Sequence, residues 1–281
     1  MSISAYGGTI NQSASEFRSK ITSYGASTDF FGAIFNGCGF EKFRKDKILL
    51  VDAMAGPGKL GKDIRAKCIA EKLTSPIVSV FFNDVRAEPL ALLKKENERT
   101  MRCDIREIGE AGYRIDILAV RYGLKDLPKD QLPIALSAAY NSLLSGGRLV
   151  IGDMMAYTPE GQEGAITVHA AKQEFAGRNR DKEGACFIPT ADEWMVLLSD
   201  AGFSNIKLSL GYTSEVETSQ WKGQFGQNKD DLQIIQELNS VIRKTASSNP
   251  IFKDEFEVTF IGEKTYVNFP IMVACAEKTP K

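Results

Sequence analysis

The chain has 281 residues, 43% of them hydrophobic, and 35 basic against 36 acidic side chains leave a net charge of −1. That size suffices for one sizeable core or a core with a cap, and the balanced charge lacks the basic footprint that a phosphate backbone attracts, so no nucleic-acid partner is expected. No basic-then-apolar leader and no membrane-length apolar run is seen, so a cytoplasmic protein without a membrane partner is expected, and five scattered cysteines without a Cys-x-x-Cys pair read as reduced core thiols rather than a metal site.

Residues 1–44 carry a polar helical pattern at about 13–23, then Tyr24 and the aromatic run Phe30-Phe31-Gly-Ala-Ile-Phe35. The most informative stretch follows. Lys47-Ile-Leu-Leu-Val-Asp52 is a β-branched, apolar run that ends in a carboxylate, passes Gly56, Gly58 and Gly61, and opens a helical pattern over 59–73. Glycine lets a backbone turn tightly and approach a ligand at the free N–H groups of a helix start. Gly56-x-Gly58-x-x-Gly61 on its own satisfies a dinucleotide fingerprint, so NAD(P) and S-adenosylmethionine (SAM) compete. Asp52 beside the turn repels a pyrophosphate and attracts an ammonium or sulfonium, which favours SAM.

A second strand is expected at 77–82, ending in Asn83-Asp84-Val85, with a helix opened by Pro89 and running to about 98. Asp84 at its tip is an acceptor-only group suited to both ribose hydroxyls of an adenosine. A third strand is expected at 101–105 and a fourth at 114–121, followed by the loop Tyr122-Gly-Leu-Lys-Asp-Leu-Pro128. A fifth follows a Gly-Gly turn and ends at Asp153, then a helix at 191–201, a strand at 206–210 and a final strand at 267–276. Strands alternating with helices predict a doubly wound, mostly parallel α/β sheet with its ligand crevice at the carboxyl ends of the strands. Two long segments interrupt this order. Residues 154–190 hold Met154, Met155 and the sole histidine, His169. Residues 211–264 hold Trp221 and an amphipathic helix at about 230–246, with Leu232, Ile235, Leu238 and Ile242 on one face and a stop at Asn249-Pro250.

Val51-Asp52-Ala53-Met54-Ala55-Gly56-Pro57-Gly58 resembles the Asp-x-Gly-x-Gly-x-Gly loop of class I SAM-dependent methyltransferases, with Met54 where the first family glycine usually stands. The downstream order of elements continues the resemblance over about 45–210 and the last strand. It implies a Rossmann-like, seven-stranded sheet with helical cap insertions, and SAM held by Asp52, Ala53, Met54, Ala55, Gly56 and Gly58. It also places Asp84 and Val85 at the ribose, Asp104 and Ile105 at the adenine, and Val120, Arg121 and Tyr122 at the methyl-transfer mouth. The expected layout is an N-terminal cap at 1–44 and a SAM-binding domain at 45–281 with cap insertions at about 154–190 and 211–264. Tyr24, Phe30, Phe31, Met154, Met155 and Trp221 are expected to shape the substrate pocket. His169, with Asp153 as the other candidate, is expected to serve as general base if the acceptor must lose a proton, because imidazole titrates near neutrality. The implied reaction is in-line methyl transfer to an O-, N- or C-nucleophile of a small molecule. The chain lacks an Asn/Asp-Pro-Pro-Tyr motif and a Pro-Cys nucleophile, which sets nucleobase targets behind small molecules. An NAD(P)-dependent oxidoreductase and a non-catalytic SAM-fold module are the alternatives, and the 230–246 helix is expected to cap the pocket or form a homodimer face.

Overall fold

Along strand β1 (Lys47–Ala53), successive side chains enter two different cores. Ile48 and Leu50 pack on one face of the sheet, Val51 and Ala53 on the other. Strand β4 (Ile115–Arg121) repeats the pattern, with Ile117 and Ala119 on the first face and Leu118 and Val120 on the second. Strands buried on both faces belong inside a parallel sheet covered by helices, which is why these runs are apolar without alternation. This computed structural model describes residues 29–44, 46–73, 77–175, 186–221 and 231–279. Tyr24, the helix expected at 13–23 and the charged stretch at 178–183 lie outside the described residues.

Helices α1 (Phe30–Cys38), α2 (Lys59–Ala70) and α3 (Ala87–Lys95) cover the first face with Ile34, Ile64 and Leu93. Helices α4 (Leu132–Ser142) and α6 (Ala191–Asp200) cover the second with Leu136, Trp194 and Leu198; α5 (Pro159–Phe175) lies between them in the chain and belongs to the cap. Each such buried side chain contributes roughly 1.5–3 kcal/mol. The strands β2 (Ile77–Asn83), β3 (Arg99–Met101), β5 (Leu143–Met154), β6 (Ser204–Glu217), β7 (Thr259–Ile261) and β8 (Lys264–Glu277) complete an eight-stranded sheet of order β3-β2-β1-β4-β5-β8-β6, with β7 paired to β8. The β1–β2, β1–β4, β2–β3 and β4–β5 pairs are parallel, whereas β8 runs antiparallel between β5 and β6.

Several boundaries differ from expectation. The short hairpin β7–β8 adds an eighth strand to the expected seven. Strand β3 ends at Met101, so Asp104 and Ile105 stand instead at the start of a one-turn 3-10 helix, Ile105–Glu107. Strand β6 continues to Glu217 because β8 pairs with it over that length, and the second insertion therefore begins at 218 rather than 211. It contains α7 (Asp231–Ser248), in which Leu232 is 58% exposed and Ile234 packs inward beside Ile235, Leu238 and Ile242. Pro250 starts a helix rather than only stopping one: it opens α8 (Pro250–Glu255), where Asn249 accepts from the Phe252 N–H at 2.8 Å and the missing proline N–H is harmless.

Helices α5, α7 and α8 form a third cluster over the carboxyl end of β5, with Met154, Trp221, Phe252, Phe256 and Phe269 at its centre. Glu255, fully buried, fastens it by accepting from the Tyr157 N–H and, at 2.8 Å, from the Thr158 hydroxyl. Among the described residues, no helix is long and apolar enough to cross a membrane.

Candidate functional site

The strand order reverses between β1 and β4, and the crevice outside their carboxyl ends is where open α/β sheets take ligands. The turn from β1 to α2 lies there. Met54, Gly56 and Gly58 all have positive φ, at 54°, 52° and 74°, a region that disfavours any residue with a Cβ. The glycines differ in purpose. A Cβ at Gly58 would come within 2.7 Å of Leu93 and one at Gly61 within 2.7 Å of Phe82, so both permit close packing of helix on strand. At Gly56 the added atom would meet only the Arg86 guanidinium, at 3.7 Å, so here it is the left-handed backbone of a buried residue, its N–H held by Asp84, that calls for glycine. Met54 keeps its left-handed backbone by packing its side chain on Gly123, where a Cβ would lie 2.8 Å from Met54 Sδ.

Asp52 does not face a ligand. It is 1% exposed, and Oδ2 accepts from the Gly61 N–H at 2.8 Å, which staples the turn from inside. Burial pushes its carboxyl up to about 7, partly offset by that N–H and by Arg121. The expected contact with an ammonium or sulfonium is therefore corrected to a role in holding the loop. Ala53 and Val120, expected at the cofactor and the mouth, are instead buried in the core of the second face, because their side chains point into the sheet's interior, while Ala55 is half-buried on the turn.

Asp84 stands where a nucleoside's hydroxyls are expected, and its carboxylate is engaged on both oxygens. Oδ2 accepts from the Gly56 N–H at 2.8 Å and Arg86 Nη2 at 3.2 Å; Oδ1 accepts from the Arg86 N–H at 2.9 Å and Nε at 3.1 Å. Burial works to raise this carboxyl, but the Arg86 and Gly56 donors outweigh it and hold it below the usual range. Val85 is exposed. Asp104 is paired with Arg106 Nη2 at 2.6 Å, and this arginine keeps its carboxyl low, whereas Ile105 is buried in the core beneath. Beside them Asn83 donates to the Cys103 carbonyl at 3.0 Å while its Oδ1 is buried with no partner among the described residues.

At the mouth, Arg121 lies 4.0 Å from Asp63 on α2. Tyr122 leaves β4 with φ 56° and donates its N–H to the Gly152 carbonyl at 2.9 Å. Its ring meets Phe30 at 5.5 Å, and Phe30 meets Tyr212 of β6 at 5.8 Å, so three aromatics from three elements border the crevice. Burial pushes the Tyr122 phenol up to about 12. Phe31 turns instead toward Phe35, at 6.4 Å. Three expected pocket residues are packing residues here. Met155 is fully buried in the core beneath the sheet, and Met154 and Trp221 belong to the cap's interior, the Trp221 ring tilted at 46° to Phe269 with Lys172 over its face.

The two expected proton-handling residues are also turned inward. Asp153 is fully buried, and its carboxylate accepts from the Leu124 and Met154 N–H groups at 2.9 and 2.8 Å, fixing the loop after β4; burial raises its carboxyl to about 6. His169, 5% exposed, places Nε2 2.8 Å from Asp126 Oδ1. An ionised carboxylate only accepts, so Nε2 carries the proton. Burial lowers the His169 pKa despite Asp126, which keeps the ring neutral at pH 7. The group presented at this point is Asp126, whose side chain is 33% exposed. The sequence reading missed Asp126, Lys125, Gln173, Arg86 and Tyr212. Gln173 alone had a local signal, lying one helical turn from His169 on the same face.

No protein-family model matches the chain, and no curated protein matches its sequence. Among solved structures it is similar to a candidate methyltransferase from Bacillus halodurans, with a TM-score of 0.64 and 17% identity, covering 90% of this chain and 100% of that one. It is similar also to the YcgJ protein of Bacillus subtilis, with a TM-score of 0.65 and 13% identity, covering 90% and 99%. At such identities the likeness concerns the fold: the chain has the Rossmann-like fold of class I methyltransferases, as the loop's resemblance implies.

Proposed function

We propose that the chain is an enzyme that transfers a methyl group from SAM to a small-molecule acceptor in the cytoplasm, without a nucleic-acid or membrane partner. The carrying observation is the crevice at the β1–β4 reversal, where the turn after β1 bends back so that the Gly56 N–H bonds the Asp84 carboxylate at the tip of β2, in a sheet whose last strand runs antiparallel between β5 and β6. A dinucleotide fold keeps a 3-2-1-4-5-6 order at that edge, which sets the oxidoreductase reading behind. One of the two structural relatives is a candidate methyltransferase.

The residues present fit the cofactor. Asp84 supplies an acceptor for paired hydroxyls, the left-handed turn at Gly56 brings the backbone back beside it, and the buried Asn83 Oδ1 is an acceptor with no donor among the described residues. SAM, when bound, supplies an electrophilic methyl on a cationic sulfur. The chain's own part is alignment and exclusion of water, since displacement at a sulfonium needs reactants in line more than it needs acid–base help. Phe30, Tyr122 and Tyr212 border the mouth with apolar ring faces, and Asp153 and Asp126 hold the loop 122–126 against the cap. Residues 1–44 and the insertions at 154–190 and 218–264 are the segments we assign to acceptor choice.

A second reading, binding without turnover, is favoured by one observation: Arg86 already sits on the carboxylate that a ribose requires. Incubation with methyl-labelled SAM and a panel of hydroxyl, amine and activated-carbon acceptors separates the two. Labelled product, lost in the Asp84→Ala variant, is expected. Saturable SAM binding with no product across the panel would leave only the binding module.

A further inference from the structure

Asp126 uses its two oxygens unequally. Oδ1 receives three donors, Lys125 Nζ at 2.8 Å, His169 Nε2 at 2.8 Å and Gln173 Nε2 at 3.0 Å. Among the described residues, every side-chain bond to this carboxylate ends on that one oxygen, and Oδ2 has none. The side chain is nevertheless a third exposed, while Lys125 and His169 behind it are buried. The loop that carries Asp126 follows the carboxyl end of β4 and packs on the glycine turn, Met54 lying against Gly123, and Lys125 Nζ ties it by donating to the Tyr122 carbonyl at 2.9 Å, so the carboxylate stands beside the crevice that the turn borders.

We infer that Asp126 Oδ2 is an anchoring point for an ammonium group in this crevice, carried either by the amino-acid end of the cofactor or by an amine-bearing acceptor. The inference rests on the methyl-transfer reading only for naming those two sources. An ionised carboxylate fixed by three donors on one oxygen offers the other in a set direction, so a bound ammonium gains a charge-assisted bond without first ordering its partner. The surroundings suit a cation. Among the described residues, the cations that act on Asp126 are Lys125, bound to Oδ1, and Arg86, committed to Asp84, and His169 is neutral. Burial works to raise the Asp126 carboxyl, but Lys125 and His169 outweigh it and hold it well below the usual range. So weak a base takes a proton poorly, which argues for anchoring rather than deprotonation. His169 then acts through Asp126, as a positioning residue.

The chain has one histidine, and its ring bonds the proposed anchor, so His169 is a built-in reporter. The test follows its ring resonances and measures affinity for two matched pairs: S-adenosylhomocysteine with its analogue lacking the amino group, and phenethylamine with 2-phenylethanol. The wild-type protein is expected to bind at least one amine about tenfold more tightly than its amino-free twin, with a His169 shift that only the amine produces. Asp126→Asn, which keeps the shape and removes the charge, should bring that preference to within about twofold. Discrimination in the first pair assigns the cofactor source, and in the second the acceptor source. If wild type discriminates neither pair, or if the variant keeps the preference, the anchor is overturned. Should Asp126→Asn fail to fold, the wild-type His169 shifts decide alone. If neither adenosine compound binds while the second pair is discriminated, the SAM reading falls and the anchor stands.

Discussion

The glycine turn and the helical cap, neighbours across one crevice, are specified in different ways. In the turn, main-chain geometry dictates residue type position by position: Gly58 and Gly61 exist because Leu93 and Phe82 leave no room for a Cβ, and Gly56 because the chain runs left-handed there. In the cap, α5, α7 and α8 meet through an apolar cluster and one buried carboxylate; Gly161 and Gly164 of α5 let Glu255 and Phe252 of α8 approach where a Cβ would clash, and the remaining positions are held by apolar packing. The turn concentrates its constraints within 56–61, directly after an apolar strand, and so leaves a mark in the sequence that two glycines inside the 17-residue helix α5 do not. It follows that the cap can change while the turn is kept, which suits a fold whose cofactor site is constant and whose acceptor site varies.

The sharpest way to break the comparison is to damage the cap and ask whether the turn responds. Leu238→Ala removes a fully buried side chain from the cap's core and should cost about 2–5 kcal/mol in chemical denaturation. Affinity for S-adenosylhomocysteine should stay within about threefold where the variant is still folded, because Leu238 packs in a cluster that no residue of the turn joins and sites without shared partners act nearly independently; a parallel collapse of both would merge the two regions into one unit.

Next comes the acid on the turn's side. Asp84→Ala should weaken S-adenosylhomocysteine binding by about 1–3 kcal/mol in calorimetry. Arg86→Ala should move affinity the other way, by a few-fold, since the guanidinium competes for the carboxylate that the ribose needs. Equal losses in both variants would mean that the Asp84–Arg86 pair itself holds the site's shape.

Asp52 gives a pH test of the staple. Its carboxyl is raised to about 7 against an ordinary value of 3.8, so between those pH values the folded chain keeps a proton that the unfolded chain releases. That contribution is present below about 4 and lost as pH rises toward about 7. Asp52→Asn lets an amide oxygen accept from Gly61 without the buried charge, and its stability relative to wild type should climb over that window. Parallel stability curves would contradict a buried, proton-holding Asp52. The smallest effect is expected at Met54. Met54→Gly relieves a left-handed backbone worth roughly 1–2 kcal/mol but removes the packing on Gly123, so thermal denaturation should find a net change within about 1 kcal/mol.

Much of the sheet was legible because buried parallel strands write continuous apolar runs and the turn writes glycines. Asp84 stands where the strand-tip argument puts it. The residues that misled did so through partners distant in sequence. Asp52 looks available to a ligand until Gly61 closes on it, and His169 looks like a free base until the loop after β4 brings Asp126 to its ring, 43 positions away. Met155 shows the same limit at one residue's spacing: β5 ends at Met154, which enters the cap, and the next side chain falls into the opposite core. Asp126 itself sits in a loop that was read as the mouth, yet nothing in Leu-Lys-Asp-Leu-Pro says that three donors will converge on one of its oxygens.

The occupant of the crevice between β1 and β4 decides between a methyl-transfer and an oxidoreductase chemistry. Calorimetric titration of the full chain with S-adenosylhomocysteine and with NAD, repeated on Asp84→Ala, reads this in one experiment. Saturable binding of the adenosine thioether, weakened in the variant, with no saturable heat from NAD, is the predicted result. Saturable NAD binding with none for S-adenosylhomocysteine would contradict it and return the chain to the oxidoreductase reading.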